Sequence, residues 1–300
     1  MKLAPIILFA YNRPEHTRLT LEALALNHLA KQSLLYIHVD GYKSKNDKDL
    51  VEETRRVAKN PDGFSEVFLH FKDRNLGLAQ SIIQGVSEVM SKHGRAIILE
   101  DDIITSRYFL SYMNEALNFY EKDENIFTVS GYHPPIAIPK DYRQDIYLSR
   151  RGSSWGWATW EDRWLKGIWQ LDSINDWLKD EQTQNHLNER GADLIPMLKS
   201  YLKGEIDSWA IRWAYTQAHY NAYSIVPVKS LVHNIGTDGS GTHFKSKTRK
   251  YNTKLQSGID KLTLEENLVI NEKINASIKK LVAPSLKNKL RGIIRWIFNR

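Results

Sequence analysis

Between residues 5 and 120 the chain repeats one pattern: a short apolar run ends in polar residues, and an amphipathic helix follows. The spacing predicts strands at Pro5–Ala10, Leu34–Val39, Val67–Phe71 and Ala96–Leu99. Helices follow from Pro14, with Leu19, Leu21, Leu24, Leu26 and Leu29 as a broad apolar face, over polar Leu50–Lys59, over Gly77–Lys92 and over Phe109–Tyr120. Strictly alternating strand and helix fold as a mostly parallel sheet with helices on both faces. Right-handed crossovers put every strand's carboxyl end on one rim, where open α/β sheets bind ligands. Arg13, Asp40, Asn75 and Asp102 each follow such an end, so they are expected to converge.

The fourth strand carries the chemistry. Arg95–Asp102 reads RAIILEDD, a buried strand that runs into three carboxylates. Adjacent acids repel one another and need a cation or a hydrogen-bonding loop. Hard divalent ions with oxygen ligands, Mg²⁺ or Mn²⁺, suit them and keep places open for phosphate oxygens. The alternative is a solvated acidic turn at the start of the next helix, near Thr105 or Ser106.

Beyond a strand at Ile126–Ser130 the character changes. Gly131–Asp145 holds three prolines and reads as a loop, and Arg151–Trp177 holds six of the nine tryptophans. Trp157, Trp160 and Trp164 recur at helical spacing, which suits core packing; Trp155 and Trp157 flank Gly156 in GSSWGW, which suits stacking on a sugar ring. Helices are expected at Leu194–Leu202 and Glu205–Tyr220, and a strand at Ser224–Val228. Asp207 reads either as a helix N-terminal acid or as a general base. Asn234–His243, NIGTDGSGTH, is a glycine-rich loop of the kind that closes over anions, or a plain flexible one. From Leu255 onward the chain reads as helical and polar.

The formal charge of +7 belongs to one end. Lys273–Arg300 holds eight Lys or Arg and no acid; without them 34 basic residues face 35 acidic ones. This argues against a nucleic-acid-binding face. The segment NKLRGIIRWIFNR is basic and amphipathic and suits an anionic membrane surface, or else a terminal helix packed on the body. The N-terminal apolar run is short and lacks a small-residue cleavage site, so it reads as mature, cytoplasmic sequence, and the basic tail suggests a peripheral place at the inner face of a membrane. The absence of cysteine excludes disulfides and thiolate metal sites.

The ordered set ILFAYNRPEHTRLTLEAL, VDG at Val39–Gly41, RNLGLAQSI at Arg74–Ile82 and LEDD resembles nucleotide-sugar glycosyltransferases of the GT-A fold, the N-acetylglucosaminyltransferase I type and bacterial family-2-like enzymes of surface-polysaccharide synthesis, over about residues 4–245. The resemblance implies a nucleotide-sugar-binding half (1–130), an acceptor and catalytic half of the same domain (131–250) and a basic helical tail (251–300). It implies Mn²⁺ or Mg²⁺ at Asp102 with His243 beside it. It implies donor contacts from Asn12, Arg13, Asp40, Arg74, Asn75, Asp101, Trp157 and Gly239. The family's acid-acid-Trp motif appears as Asp207-Ser208-Trp209, which leaves Asp207 as the implied base. The expected reaction is metal-dependent, inverting transfer from a nucleotide sugar, UDP-linked foremost, to a saccharide or lipid-linked acceptor. The alternatives are a membrane-associated sugar-binding protein on the same fold and a sugar nucleotidylyltransferase, though the latter's Gly-rich loop is missing from YNRPE. The carboxylate pair of a glycoside hydrolase stands roughly 5–9.5 Å apart, unlike a contiguous triplet.

Overall fold

The computed structural model describes residues 3–170, 179, 181–239, 248–256, 258 and 261–284. Ten strands run in chain order: β1 Ile6–Ala10, β2 Leu34–Val39, β3 Glu66–Phe71, β4 Arg95–Glu100, β5 Ile103–Thr105, β6 Ile126–Ser130, β7 Ile146–Ser149, β8 Trp157–Trp160, β9 Tyr223–Pro227 and β10 Val232–Asn234. Eight form one sheet in the order β3-β2-β1-β4-β8-β6-β9-β7, and β5 pairs with β10 in a small antiparallel ribbon. Only β7 and β8 run against the other strands of the large sheet. This is the expected mostly parallel α/β sheet with helices on both faces, an architecture of the Rossmann-like kind. The sheet joins both halves of the chain, because β8 lies between β4 and β6.

The central strands explain themselves. β1 is buried at every position and β4 at its four middle ones, as continuous apolar runs must be when helices cover both faces. On one face α1 (Pro14–Ala25), α2 (Lys48–Ala58) and α4 (Phe109–Phe119) bury Leu24, Val51 and Leu117 against Leu8, Ile37 and Ile97. On the other, α3 (Leu78–His93) lays Ile82, Val86 and Val89 on Ile7, Phe9 and Ile98. Gly85 permits that approach, since a Cβ there would stand 2.8 Å from the Phe9 ring and 3.0 Å from His38.

Four departures from the expected elements have physical causes. First, α1 stops at Ala25 and leaves Leu26 59% exposed. The turn is held by Asn27, whose amide donates to Ala23 O and to Thr105 Oγ1 and whose Oδ1 accepts from Leu110 N–H. Second, the helical spacing of three tryptophans arises from a strand followed by a short helix: Trp157 and Trp160 lie on β8, and Trp164 ends α5 (Glu161–Trp164). All three are buried, so the core reading holds. Third, α6 (Glu181–Arg190) and α7 (Leu194–Leu202) precede α8, which spans only Trp209–His219; Ser208 caps it by accepting from Ile211 N–H, so Asp207 precedes the cap. Fourth, residues 261–271 contain no helix; Leu262 is buried against the core, and α9 (Glu272–Val282) begins at the Asn271 side-chain cap. The basic segment at 285–300, like Trp177, lies outside the described residues. No described helix is long and apolar enough to cross a membrane.

Asn27→Ala leaves the Leu110 N–H buried without an acceptor, and such a loss costs about 1–3 kcal/mol. Urea denaturation should register a destabilisation of about 2 kcal/mol; a change below about 0.5 kcal/mol would show that Asn27 does not hold the α1–β5–α4 junction.

Candidate active site

The carboxyl rim of the sheet opens into a cleft of about 840 Å³. That lies toward the upper end of the roughly 300–1,000 Å³ usual for small-molecule sites. Asn12, Arg13, Asp40, Asn75, Asp101, Asp102 and Asp207 all line it, so residues from the ends of β1, β2, β3 and β4 do meet.

Each acid of the triplet has a different support. Glu100 ends β4 and accepts from the indole of Trp209, at the start of α8. Asp101 is 2% exposed, and its carboxylate accepts from Arg13 Nη2 and from the Tyr11 backbone N–H. Its carbonyl accepts from Thr20 Oγ1 on α1 at 2.8 Å. Asp102 Oδ2 pairs with Arg13 Nη1 at 3.0 Å, and its Oδ1 accepts from Asn234 Nδ2 at 3.2 Å. The turn after β10 lies against this carboxylate: Ile235 N–H donates to Asp102 O at 2.9 Å, and a Cβ on Gly236 would overlap Asp102 Oδ2. The triplet therefore does not cap the next helix, which starts only at Phe109.

Burial, and then the neighbouring Asp102 and Asp101, push the Glu100 carboxyl above its ordinary range. Burial likewise raises Asp101, and Arg13 opposes the rise. Arg13 is drawn further toward its charged state by the two carboxylates, which outweigh its own desolvation. At the β2 side of the cleft His38 is held neutral, its pKa lowered to about 3 by burial and by adjacent His70.

The remaining expected residues divide. Asp40 lines the cleft, but both its oxygens are engaged by backbone N–H groups: Gly41 at 2.9 Å, Leu76 at 2.9 and 3.1 Å and Gly77 at 2.9 Å. It anchors the loop between β3 and α3. Asn75 assists by donating to Gly41 O at 2.8 Å. Arg74 is exposed and outside the cleft lining. Trp157 also stands outside it: at 1% exposure it stacks beneath Trp209, ring centroids 5.1 Å apart, and so supports the indole that serves Glu100. Trp155 lines the cleft instead, edge-on to Tyr132 at 4.5 Å. Gly239 closes a short 3-10 turn, Gly236–Asp238, at φ +102°, away from the cleft lining. His243 lies outside the described residues. Asp207 is well exposed, and Arg212 Nη2 donates to its Oδ1 at 2.6 Å.

Sequence reasoning missed Asn234, the contact at Gly236, the Trp209–Glu100 bond and the Arg151–Asp193 pair, whose two guanidinium bonds measure 2.8 Å each at the cleft wall. Only the glycine-rich composition of Asn234–His243 hinted at the first two.

Among the described residues no group of three or more His, Cys, Asp or Glu side chains is disposed to hold a metal ion. The donor set nevertheless fits a hard divalent cation that shares its coordination with substrate. Beside the Asp102 carboxylate, Asn234 Oδ1 is buried and has no hydrogen-bond partner. Mg²⁺-type ions are commonly held by one or two protein oxygens together with substrate phosphates and water.

No protein-family model matches the chain, and no curated protein matches it. Among solved structures, the crystal structure of S. aureus TarS is similar at 12% identity and a TM-score of 0.32, covering 49% of this chain and 25% of that one. The chain thus spans about a quarter of that protein's length, and so partial a likeness carries no argument about activity.

Because the folded state raises the Glu100 pKa, the protonated form is the one the fold favours. Its contribution to stability is present below the ordinary value of 4.5 and is lost as the pH rises through the raised one. In chelator, the melting temperature should fall as the pH climbs above 4.5 toward neutrality, and Glu100→Gln should flatten that fall. An equal slope in both proteins would remove Glu100 as its source.

Proposed function

We propose that the chain is a metal-dependent, inverting glycosyltransferase that moves a sugar from a nucleotide-sugar donor, a UDP-sugar foremost, to a hydroxyl of a saccharide or lipid-linked saccharide. The observation that carries this reading is the meeting of Arg13, Asp101, Asp102 and Asn234 in a cleft that Asp207 also lines. Asp102 and Asn234 would hold Mg²⁺ or Mn²⁺, which would supply positive charge opposite a leaving diphosphate.

The chain's own groups do the rest. Arg13 offers a planar fork that matches phosphate oxygens bidentately. Asp101 holds that fork through Nη2, and the Tyr11 N–H fixes Asp101 in turn. Asp207 takes the acceptor hydroxyl's proton as that oxygen attacks the anomeric carbon on the face opposite the leaving diphosphate, which inverts the centre. Arg212 orients Asp207 through Oδ1 and leaves Oδ2 to receive the proton. Tyr132, Trp155 and Tyr251 line the cleft and offer apolar ring faces to the C–H side of a sugar. Water that would hydrolyse the donor is kept out once donor and acceptor fill the cleft. The basic segment at 285–300 would hold the enzyme at an anionic membrane surface, near a lipid-linked acceptor.

Thermal shift with UDP and other nucleoside diphosphates, with and without Mn²⁺, tests the reading. At about 100 times Kd a nucleotide stabilises a protein by about 2.7 kcal/mol. That shift should need Mn²⁺ and should vanish in Asp102→Ala. Asp207→Asn should keep the shift yet slow transfer at least about 100-fold, the low end for loss of a general base. Stabilisation by free saccharide with no response to any nucleotide would instead identify a sugar-binding protein.

A further inference from the structure

Arg13 occupies the place where a cation would be wanted. Its Nη2 contacts Asp101 and its Nη1 lies 3.0 Å from Asp102 Oδ2, so one guanidinium neutralises two carboxylates. The loop backbone closes the other side of that oxygen, since a Cβ on Gly236 would overlap Asp102 Oδ2 and stand 2.9 Å from Arg13 Nη1. Next to this filled position is an unfilled one. Asn234 is 5% exposed and lines the cleft; its amide nitrogen reaches Asp102 at 3.2 Å, while its Oδ1 is buried with no partner. An unpartnered buried oxygen is costly, and a hard cation or a donor group would relieve it.

We propose that Arg13 is the resident counter-ion of the Asp101–Asp102 pair, and that a divalent cation reaches Asp102 and Asn234 Oδ1 only together with a nucleoside diphosphate that draws the guanidinium away. This deepens, and rests on, the transferase reading. Arginine stays charged throughout the working pH range, so a bare dication at Asp102 would face an adjacent positive charge. A diphosphate removes that conflict. It gives Arg13 a bidentate acceptor and gives the cation two further oxygens. Asn234 then becomes a ligand, and metal and nucleotide bind with positive coupling.

Titration of free Mn²⁺ by electron paramagnetic resonance, with and without UDP, reads this directly. The unaltered protein should bind Mn²⁺ weakly alone and at least tenfold more tightly with UDP. Arg13→Gln should bind Mn²⁺ alone at least tenfold more tightly than the unaltered protein and gain little from UDP. Asn234→Leu in the Arg13→Gln background should reverse that gain. Arg13→Lys keeps the charge but lacks the fork, so it should fall between; it decides the matter if the Gln variant melts early. Bare Mn²⁺ affinity unchanged or lowered in both Arg13 variants overturns the counter-ion claim. Absence of Mn²⁺ binding with every nucleoside diphosphate in the unaltered protein contradicts the transferase reading instead, and the contrast between variants without nucleotide still decides the role of Arg13.

Discussion

The site depends on one guanidinium between two carboxylates. Three consecutive acids at the end of a buried strand would destabilise the fold if left to repel one another. Leaving a buried charge without its partner costs several kcal/mol. Arg13 spans Asp101 and Asp102, the Trp209 indole serves Glu100, and Asn234 serves Asp102. These supports come from the loop after β1, from the start of α8 and from β10. The acidic triplet therefore cross-links the parts of the chain that surround it, and the cleft takes its shape from the same contacts.

That arrangement explains what could be read from residues alone. The apolar runs at Leu34–Val39 and Ile126–Ser130 coincide with β2 and β6, because strands buried on both faces carry a one-dimensional signal that needs no partner to recognise. The meeting of Arg13, Asp40, Asn75 and Asp102 follows from handedness, which is a property of any parallel sheet. What was not legible depends on contacts across the chain. Asp40 lines the cleft as expected, yet its oxygens are engaged by the backbone N–H groups of adjacent Gly41 and of distant Leu76 and Gly77. Trp157 shares its motif with Trp155, but Trp157 begins β8 while Trp155 precedes the strand beyond Gly156 at φ +60°, so one ring lies beneath Trp209 and the other lines the cleft. The spacing of Trp157, Trp160 and Trp164 mimics a helix because a strand and a helical turn happen to meet there. Local sequence marks Asn234 and Gly236 only by the glycine-rich composition around them; their importance appears when β10 pairs with β5 beside Asp102.

The cleft lining combines two kinds of chemistry. One set of groups holds the paired charges and hard oxygens that suit a diphosphate and its cation. The other set holds Tyr132, Trp155 and Tyr251, the Arg151–Asp193 pair, and Ile278 and Leu281 from α9. Asp207 stands exposed in the same cleft with one oxygen held by Arg212. In this account a donor is held by electrostatics, an acceptor by apolar and aromatic surface, and the proton passes to Asp207.

The most direct test is a crystal grown with Mn²⁺ and UDP and measured at the manganese absorption edge. The account predicts one anomalous peak within direct coordination distance of an Asp102 carboxylate oxygen and of Asn234 Oδ1, bridged to the diphosphate, with Arg13 moved onto a phosphate. A nucleotide bound elsewhere, or one bound in the cleft with no metal at Asp102 and Arg13 still paired to both carboxylates, would contradict it.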